Sequence, residues 1–162
     1  MILHYRAYMK RIILLSLALL SLLALAACKS SGMAVTSQGQ FLKINILHPT
    51  DLPEQGEDNL DIVISNRGVK SIEDVLLDVE LPSQLVVLDE THGRGIDTQH
   101  DTGSNIYHFT LGKVQPGEDT TIRFKVRTTW SGAREASVKV TAWQRDLPND
   151  RLVETAVIKI RQ

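Results

Sequence analysis

The sequence holds only one cysteine, Cys28, in its 162 residues, so no disulfide within the chain can stabilise the fold. Aromatic residues are scarce at 5%, and aliphatic side chains must therefore supply most of a core. No apolar run reaches the roughly 20 residues that a membrane-spanning helix needs. The chain also lacks a nucleophile elbow, a phosphate-binding glycine loop and paired cysteines. These absences exclude a disulfide scaffold and the enzyme classes that depend on those motifs.

Excess positive charge is lacking as well. Residues 1–27 contain three basic residues and no acidic one, and without them 15 Lys and Arg stand against 19 Asp and Glu, a net charge of −4. Such a chain has no basic excess with which to neutralise phosphates. We therefore expect no nucleic-acid partner.

The first 27 residues have the composition of a secretory signal peptide. Basic residues precede an apolar run at 12–27 that also contains serine and ends in small residues. A basic start followed by a short apolar segment is typical of a cleaved signal, whereas an uncleaved membrane helix needs a longer run. Met9 is followed directly by Lys10 and Arg11, so either Met1 or Met9 fits as the first residue.

The end of the apolar run, Leu25-Ala26-Ala27-Cys28, resembles the lipobox of bacterial lipoproteins at all four positions. The resemblance implies cleavage between Ala27 and Cys28, a diacylglycerol on the Cys28 sulfur, and an added N-acyl group. Two or more acyl chains make a stable anchor where one does not. The implied location is the extracytoplasmic side of the cell envelope. Lys29 is not the aspartate of an inner-membrane retention signal, so the outer membrane is expected in a Gram-negative host.

The mature chain is predicted to contain one tether and one domain. Residues 28–40 are rich in Ser, Gly, Thr and Gln, which predicts a lipidated N-terminus and a flexible tether with a reach of about 20 Å. Residues 41–162 have the length of a single domain that can bury a core without disulfides. The signal peptide at 1–27 precedes both.

From residue 41 onward the apolar residues alternate in short segments, a pattern typical of strands. The clearest segment places Ile122, Phe124 and Val126 on one face and basic residues on the other. A polar loop is predicted at 89–105 and a turn at 147–150. The expected fold is an all-β, immunoglobulin-like antiparallel sandwich of about seven to eight strands. The predicted strands lie at 41–47, 60–64, 75–81, 85–88, 107–111, 122–126, 138–142 and 156–160.

Turn and core residues carry a further resemblance. They are Asn66-x-Gly68, then Val75, Asp78 and Leu81-Pro82-x-x-Leu85, then Phe109-Thr110-Leu111-Gly112-x-Val114-x-Pro116-Gly117-Glu118. This set resembles Ig-like bacterial surface modules, a conserved-repeat family of unknown function related to the cell-adhesion-related domain found in bacteria. The resemblance covers most of residues 42–161 and implies a module without catalytic residues. Members of that family often occur in tandem, whereas this chain has a single copy.

Two features suggest a contact surface. Arg123, Lys125 and Arg127 form a basic stripe that suits anionic polysaccharide or phospholipid headgroups, although a solvated face with Asp and Glu opposite is the simpler interpretation. Trp143 is out of phase with the apolar residues of its strand, so its ring either forms an exposed binding patch or covers the sandwich edge. Trp130 is the other tryptophan.

Two patterns suggest an enzyme. His92, His100 and His108 recur at equal intervals with carboxylates between them, and such side chains bind zinc when three or four converge. The spacing fits neither a strand pair nor a helix pair, so three solvated histidines are the simpler interpretation. The Asp-Thr-Gly-Ser segment at Asp101 matches the catalytic triplet of aspartic proteases, but a surface Asx turn explains it equally well.

We therefore predict a membrane-anchored envelope lipoprotein that presents a non-catalytic Ig-like interaction or structural module. We expect that it is not an enzyme and that it needs no cofactor besides the lipid on Cys28. The predicted contact surface is the loop at 89–105, and the partner is an envelope protein or glycan. One alternative is a glycan-binding lipoprotein that uses Trp130 or Trp143 with the basic stripe. The other is a small metal-dependent or hydrolytic enzyme built on the histidines and aspartates.

Overall fold

The computed structural model describes residues 33–38, 41–130 and 132–161, and this part of the chain contains strands and no helix. The predicted signal peptide, its cleavage site and Cys28 lie outside the described residues. Among the described residues, no helix is long and apolar enough to cross a membrane. The strands are β1 Met33–Gln38, β2 Leu42–His48, β3 Asp51–Pro53, β4 Glu57–Asn66, β5 Ile72–Glu80, β6 Leu85–His92, β7 Asp97–Asp101, β8 Ile106–Val114, β9 Asp119–Thr128, β10 Glu135–Gln144 and β11 Leu147–Arg161.

The strands form two sheets. Sheet A has the order β1-β2-β4-β9-β6, and sheet B has the order β3-β11-β10-β5-β8-β7. The β3 strand runs parallel to the end of β11, and the other described pairings are antiparallel. The predicted all-β sandwich is confirmed, although the described residues form eleven strands where seven to eight were expected, and one pairing is parallel.

A single apolar core fills the space between the sheets. In β9, Ile122, Phe124 and Val126 are buried and the basic residues between them face outward, as the alternation predicts. The Phe124 ring of sheet A meets Phe109 and Tyr107 of sheet B edge-on, with ring centroids 6.0 and 5.0 Å away. Burying one such side chain contributes about 1.5–3 kcal/mol. The stability of both sheets therefore depends on the same core.

The stretch predicted as a tether differs from that expectation. Met33–Gln38 is a strand that pairs with β2, from Met33 opposite His48 to Gln38 opposite Lys43. It is the edge strand of sheet A. An edge strand hydrogen-bonds on one side only, so a short sequence that begins with apolar and ends with polar residues can form it. Its composition therefore looks like that of a linker.

The predicted loop at 89–105 and the predicted turn at 147–150 are also misplaced. The β6 strand continues to His92, and β7 occupies Asp97–Asp101 at the edge of the other sheet. The turn between β10 and β11 lies at 145–146, so residues 147–150 already belong to β11. Charged and polar residues on solvated edge strands, or at an exposed strand end such as the start of β11, have no apolar alternation to reveal them.

The turns gather at two ends of the sandwich. At the entry end, where β1 begins opposite His48, the Thr128 hydroxyl donates to the Pro53 carbonyl at 2.7 Å and the Ile160 N–H donates to the Arg134 carbonyl at 2.7 Å. At the far end, the Arg67 N–H donates to the Phe41 carbonyl at 2.8 Å, and the β8–β9 turn bonds to β4. The ten-residue β4 strand runs between the two ends, which places them about 30 Å apart.

Candidate functional site

The basic stripe lies on the outer face of sheet A and is paired with carboxylates of β4. The Nε and Nη2 atoms of Arg123 donate to both Asp61 oxygens at 2.7 and 2.6 Å. The Lys125 Nζ lies 2.9 Å from one Glu57 oxygen, and the Arg127 Nη1 lies 4.0 Å from the other. Hydrogen bonding to Asp61 and its charge raise the pKa of Arg123. The stripe is a solvated, paired strand face whose charge is largely neutralised before any polyanion arrives.

Trp143 lies half-buried on the outer face of sheet B, opposite Leu76 of β5. The guanidinium carbon of Arg151 sits 4.7 Å from its ring centroid. A cation over an exposed ring contributes about 0.5–1 kcal/mol, and here it covers a face that a ligand would otherwise use. Because Trp143 and the basic stripe belong to outer faces of different sheets, they do not form one site.

Two of the three histidines are held by other side chains of sheet B. The His108 Nδ1 lies 2.6 Å from Asp78 Oδ1 on the outer face. The His100 ring stacks on Tyr107 with a centroid distance of 4.0 Å, and its Nε2 lies 3.3 Å from Asn105 Oδ1. His100 and His108 therefore occupy opposite faces of the sheet.

The third histidine links the edges of the two sheets. The His92 Nε2 of β6 lies 3.1 Å from the Thr98 hydroxyl of β7, and that hydroxyl donates to Glu90 at 3.1 Å. These contacts close one side of the sandwich. Within the described residues, no three His, Cys, Asp or Glu side chains come close enough together to hold a metal. The three histidines that the sequence suggested are therefore not brought to one point.

The Asp-Thr-Gly-Ser segment forms the turn between β7 and β8. The Asp101 carboxylate accepts a hydrogen bond from the Ser104 hydroxyl at 2.6 Å and another from the Gly103 N–H at 3.0 Å. The Ser104 bond, followed by the Gly103 bond, lowers the pKa of Asp101. The carboxylate thus stabilises its own surface turn, which is the simpler of the two interpretations.

An exposed tryptophan marks the entry end. The Trp130 side chain is 77% exposed. With the Gln55 amide oriented so that its oxygen faces the indole, that oxygen accepts from the Trp130 Nε1 at 3.2 Å and from its backbone N–H at 3.2 Å. The ring borders an open cleft of about 830 Å³, whose lining residues include Pro53, Glu54, Gly132 and Arg161. The sequence pattern did not indicate where this tryptophan lies.

A smaller pocket, which the sequence pattern did not indicate, lies at the far end. It has a volume of about 110 Å³, and most of its lining is apolar, with Phe41, Leu42, Ile72, Ala142, Leu147 and Leu152 among the lining residues. The Phe41 and Leu147 side chains are 49% and 52% exposed, and Val69 in the nearby β4–β5 loop is 91% exposed. Apolar residues at turn positions were the available signal for this pocket. The sequence pattern alone does not separate an exposed apolar residue from a buried one.

Comparison with known proteins shows the fold and no closer relationship. No protein-family model matches the chain, and the search of curated proteins finds no match. A chain of the solved "RrgA Jo.In complex" is similar with a TM-score of 0.59 and 11% identity, over 78% of this chain and 82% of that one. This likeness supports the β-sandwich assignment and shows the fold alone.

Two other solved structures have lower similarity. One is a non-cellulosomal cohesin from the archaeon Archaeoglobus fulgidus, with a TM-score of 0.48 and 15% identity over 69% of this chain and 86% of that one. Another is a collagen-binding domain from a Staphylococcus aureus adhesin, with a TM-score of 0.46 and 8% identity over 82% and 99%. Membership of the conserved-repeat family stays a prediction based on the turn and core residues.

Proposed function

We propose that this chain is a lipid-anchored protein of the cell envelope whose β-sandwich is a non-catalytic interaction or structural module. The observation that carries the proposal is the Leu25–Cys28 motif directly after a signal-like apolar run. The only cysteine of the chain stands at the position that takes the lipid. In a host with two membranes, we place the protein in the outer one.

The side chains of the sandwich support a module without catalysis. Among the described residues, each group suggested by the sequence for chemistry has a structural partner. Asp101 caps its own turn, His92 and His108 bond to neighbouring strands, and the basic stripe pairs with two carboxylates. An exposed pocket with apolar walls is a common feature of protein-interaction sites. We therefore assign the protein-contact surface to the far end, around Phe41, Val69 and Leu147, in place of residues 89–105.

Glycan binding at the Trp130 cleft is the second candidate function. An exposed aromatic ring beside polar and charged groups suits a sugar, which offers apolar ring faces and hydroxyl groups. Trp130 is next to Arg161 and Glu54 in this cleft. A pull-down with envelope glycans tests this function. If it is correct, we expect Trp130→Ala to abolish binding of the protein to the glycan and Trp143→Ala to bind normally.

Replacement of Cys28 by alanine tests the anchor. We expect the variant to lose incorporation of radioactive fatty acid and to keep its signal segment, with a higher apparent mass. Lys29→Ala, which alters the next residue, is the control and should be acylated and processed normally. An unchanged mass and acylation in Cys28→Ala would show that the first 27 residues are not a lipoprotein signal.

Site-specific crosslinking in intact cells tests the contact surface. A photo-reactive amino acid at Val69 is expected to yield a discrete protein adduct that mass spectrometry can identify. The same amino acid at Lys139, an exposed position on the outer face of sheet B, is the control. Adducts of equal yield from both positions would argue against a far-end surface.

A further inference from the structure

We propose that the entry end of the sandwich lies against the lipid bilayer and that the Trp130 ring occupies the boundary between headgroups and acyl chains. The inference rests on the proposed lipid anchor at Cys28 and adds the orientation of the domain. The occupant of the Trp130 cleft is then a membrane surface.

The chain between the anchor and the domain is short. Residues 29–32 separate Cys28 from Met33, where β1 begins. A fully extended chain advances at most about 3.6 Å per residue, so the Cα atoms of Cys28 and Met33 lie within about 18 Å of each other. That distance is shorter than the roughly 30 Å length of the sandwich.

The direction of β1 determines which end of the sandwich is nearest to the anchor. Met33 is opposite His48, at the entry end, and the strand runs from there toward the far end with six residues in register. A free tether of twelve residues would let either end approach the membrane. Because β1 belongs to the sheet, the chain enters the sandwich at one defined end. The lipid must therefore hold the entry end closest to the bilayer.

The exposed side chain at the entry end, Trp130, suits a membrane interface. Tryptophan is enriched at membrane interfaces because its ring is apolar and its N–H is polar. The Trp130 ring is 77% exposed, while its Nε1 has a partner in the Gln55 oxygen at 3.2 Å. The ring can therefore leave water without stranding its only polar atom.

The charges at the entry end determine which lipids are needed. Arg161 pairs with Asp51 at 3.1 Å between Nε and Oδ2, and Lys125 and Arg127 share Glu57 at the start of β4. Nearby charges of both signs come from Glu54, Arg134, Glu135 and Lys159. A basic cluster of the kind that binds anionic lipids is absent from this set. We expect contact with zwitterionic and anionic bilayers alike, because the acyl chains supply the affinity and Trp130 the orientation.

The two tryptophans of the chain allow a direct test. Purified lipidated protein is reconstituted into phosphatidylcholine vesicles with brominated acyl chains, which quench a tryptophan at the boundary. In Trp143→Phe only Trp130 emits, and we expect its fluorescence to fall about two-fold because the ring lies at the headgroup level. In the matched variant Trp130→Phe only Trp143 emits, and we expect no quenching.

A second measurement does not depend on either phenylalanine variant. Because Cys28 carries the lipid, an introduced cysteine is the only free thiol and accepts a single nitroxide label. We expect a label at Glu54→Cys, which lines the same cleft and leaves Trp130 in place, to be relaxed mainly by oxygen, which partitions into lipid. We expect a label at Val69→Cys, at the far end, to be relaxed mainly by a water-soluble nickel chelate. Equal aqueous exposure of both labels would overturn the inference.

The outcomes separate this inference from the proposed anchor. Protein that fails to float with the vesicles contradicts the anchor and, with it, the orientation. Protein that floats but shows an unquenched Trp130 contradicts the orientation alone. A change in Trp130 emission with soluble envelope glycan fragments, without quenching by brominated lipid, also overturns it and assigns the cleft to glycan. Quenching in both phosphatidylcholine and phosphatidylglycerol vesicles supports the proposal.

Discussion

Asn66 shows how one buried amide connects parts of the chain that are distant in sequence. Its Oδ1 accepts from the Gly68 N–H at 2.8 Å, which is the local turn that the Asn-x-Gly pattern predicts. Its Nδ2 donates to the Lys70 carbonyl at 2.8 Å and to the Val114 carbonyl at 3.0 Å. The first bond spans two residues and can be read from the sequence, whereas the Val114 bond spans 48 and cannot.

Replacing Asn66 by alanine is expected to lower the free energy of unfolding by about 3 kcal/mol, since the Val114 and Lys70 carbonyls each lose a donor. Urea unfolding followed by far-UV circular dichroism measures the change. The control is Asn59→Ala, an exposed position on the same strand, where we expect a change within about 0.5 kcal/mol. Comparable losses in both variants would contradict the role of the Asn66 amide.

The turn at Asp101 is expected to depend on pH. The pKa of the Asp101 carboxyl lies below the ordinary 3.8 because of the hydrogen bonds from Ser104 and Gly103. These bonds therefore favour the folded state above pH 3.8, and their contribution is lost as the pH falls through the folded pKa. In Ser104→Ala we expect the Asp101 carboxyl to titrate at higher pH, followed by ¹³C NMR. Thr102→Ala, in the same turn, should leave the midpoint unchanged. A midpoint insensitive to Ser104→Ala would contradict this assignment.

Among the strands, those in the middle of the sheets were predicted, whereas the edge strands β1, β3 and β7 were missed and the edge strand β6 was predicted only in its first half, at 85–88. The β4, β5, β9 and β10 strands alternate between buried apolar and exposed residues, which sequence reasoning detects. The edge strands β1, β3 and β7 are short or polar, and what holds them is backbone pairing with a neighbour. Pairing of backbone groups leaves no mark on side-chain composition.

Removal of β1 is expected to destabilise sheet A. A chain of residues 41–162 lacks the six register pairs between β1 and β2, and cross-strand pairs contribute about 0.2–1 kcal/mol each. We expect thermal and urea unfolding to show a loss of about 1–3 kcal/mol relative to residues 29–162. Light scattering should also detect association of the shorter chain through the newly exposed β2 edge. Equal stability of the two chains would show that β1 contributes nothing to the fold.

The two sheets together form one cooperative unit because aromatic and aliphatic residues of both meet in the same core. The sequence assigned the inward faces of the central strands correctly. It did not indicate that Phe124 of β9 contacts Tyr107 and Phe109 of β8 across the sheets, since β8 and β9 are not paired with each other. The shared aromatic contact makes Phe124 a sensitive position.

Phe124→Ala is expected to lower the free energy of unfolding by about 3–5 kcal/mol, because it leaves a cavity between the sheets. Differential scanning calorimetry should still show a single transition, as expected for one core. The control is Phe41→Ala, since Phe41 is 49% exposed and should cost much less. A selective loss of one sheet in Phe124→Ala, with the other retained, would contradict a shared core.

What the sequence determined by itself was local in origin. The apolar alternation assigns faces to the central strands, the Asn66-x-Gly68 pattern assigns a turn, and the leader with its Cys28 motif predicts an envelope lipoprotein. Tertiary structure decided which charges pair, as between Asp61 and Arg123, and which end of the sandwich receives Met33 and Trp130. The physical reason is distance along the chain: alternation and turns depend on residues two to four apart, whereas ion pairs, edge strands and sandwich ends depend on strand pairing between distant segments.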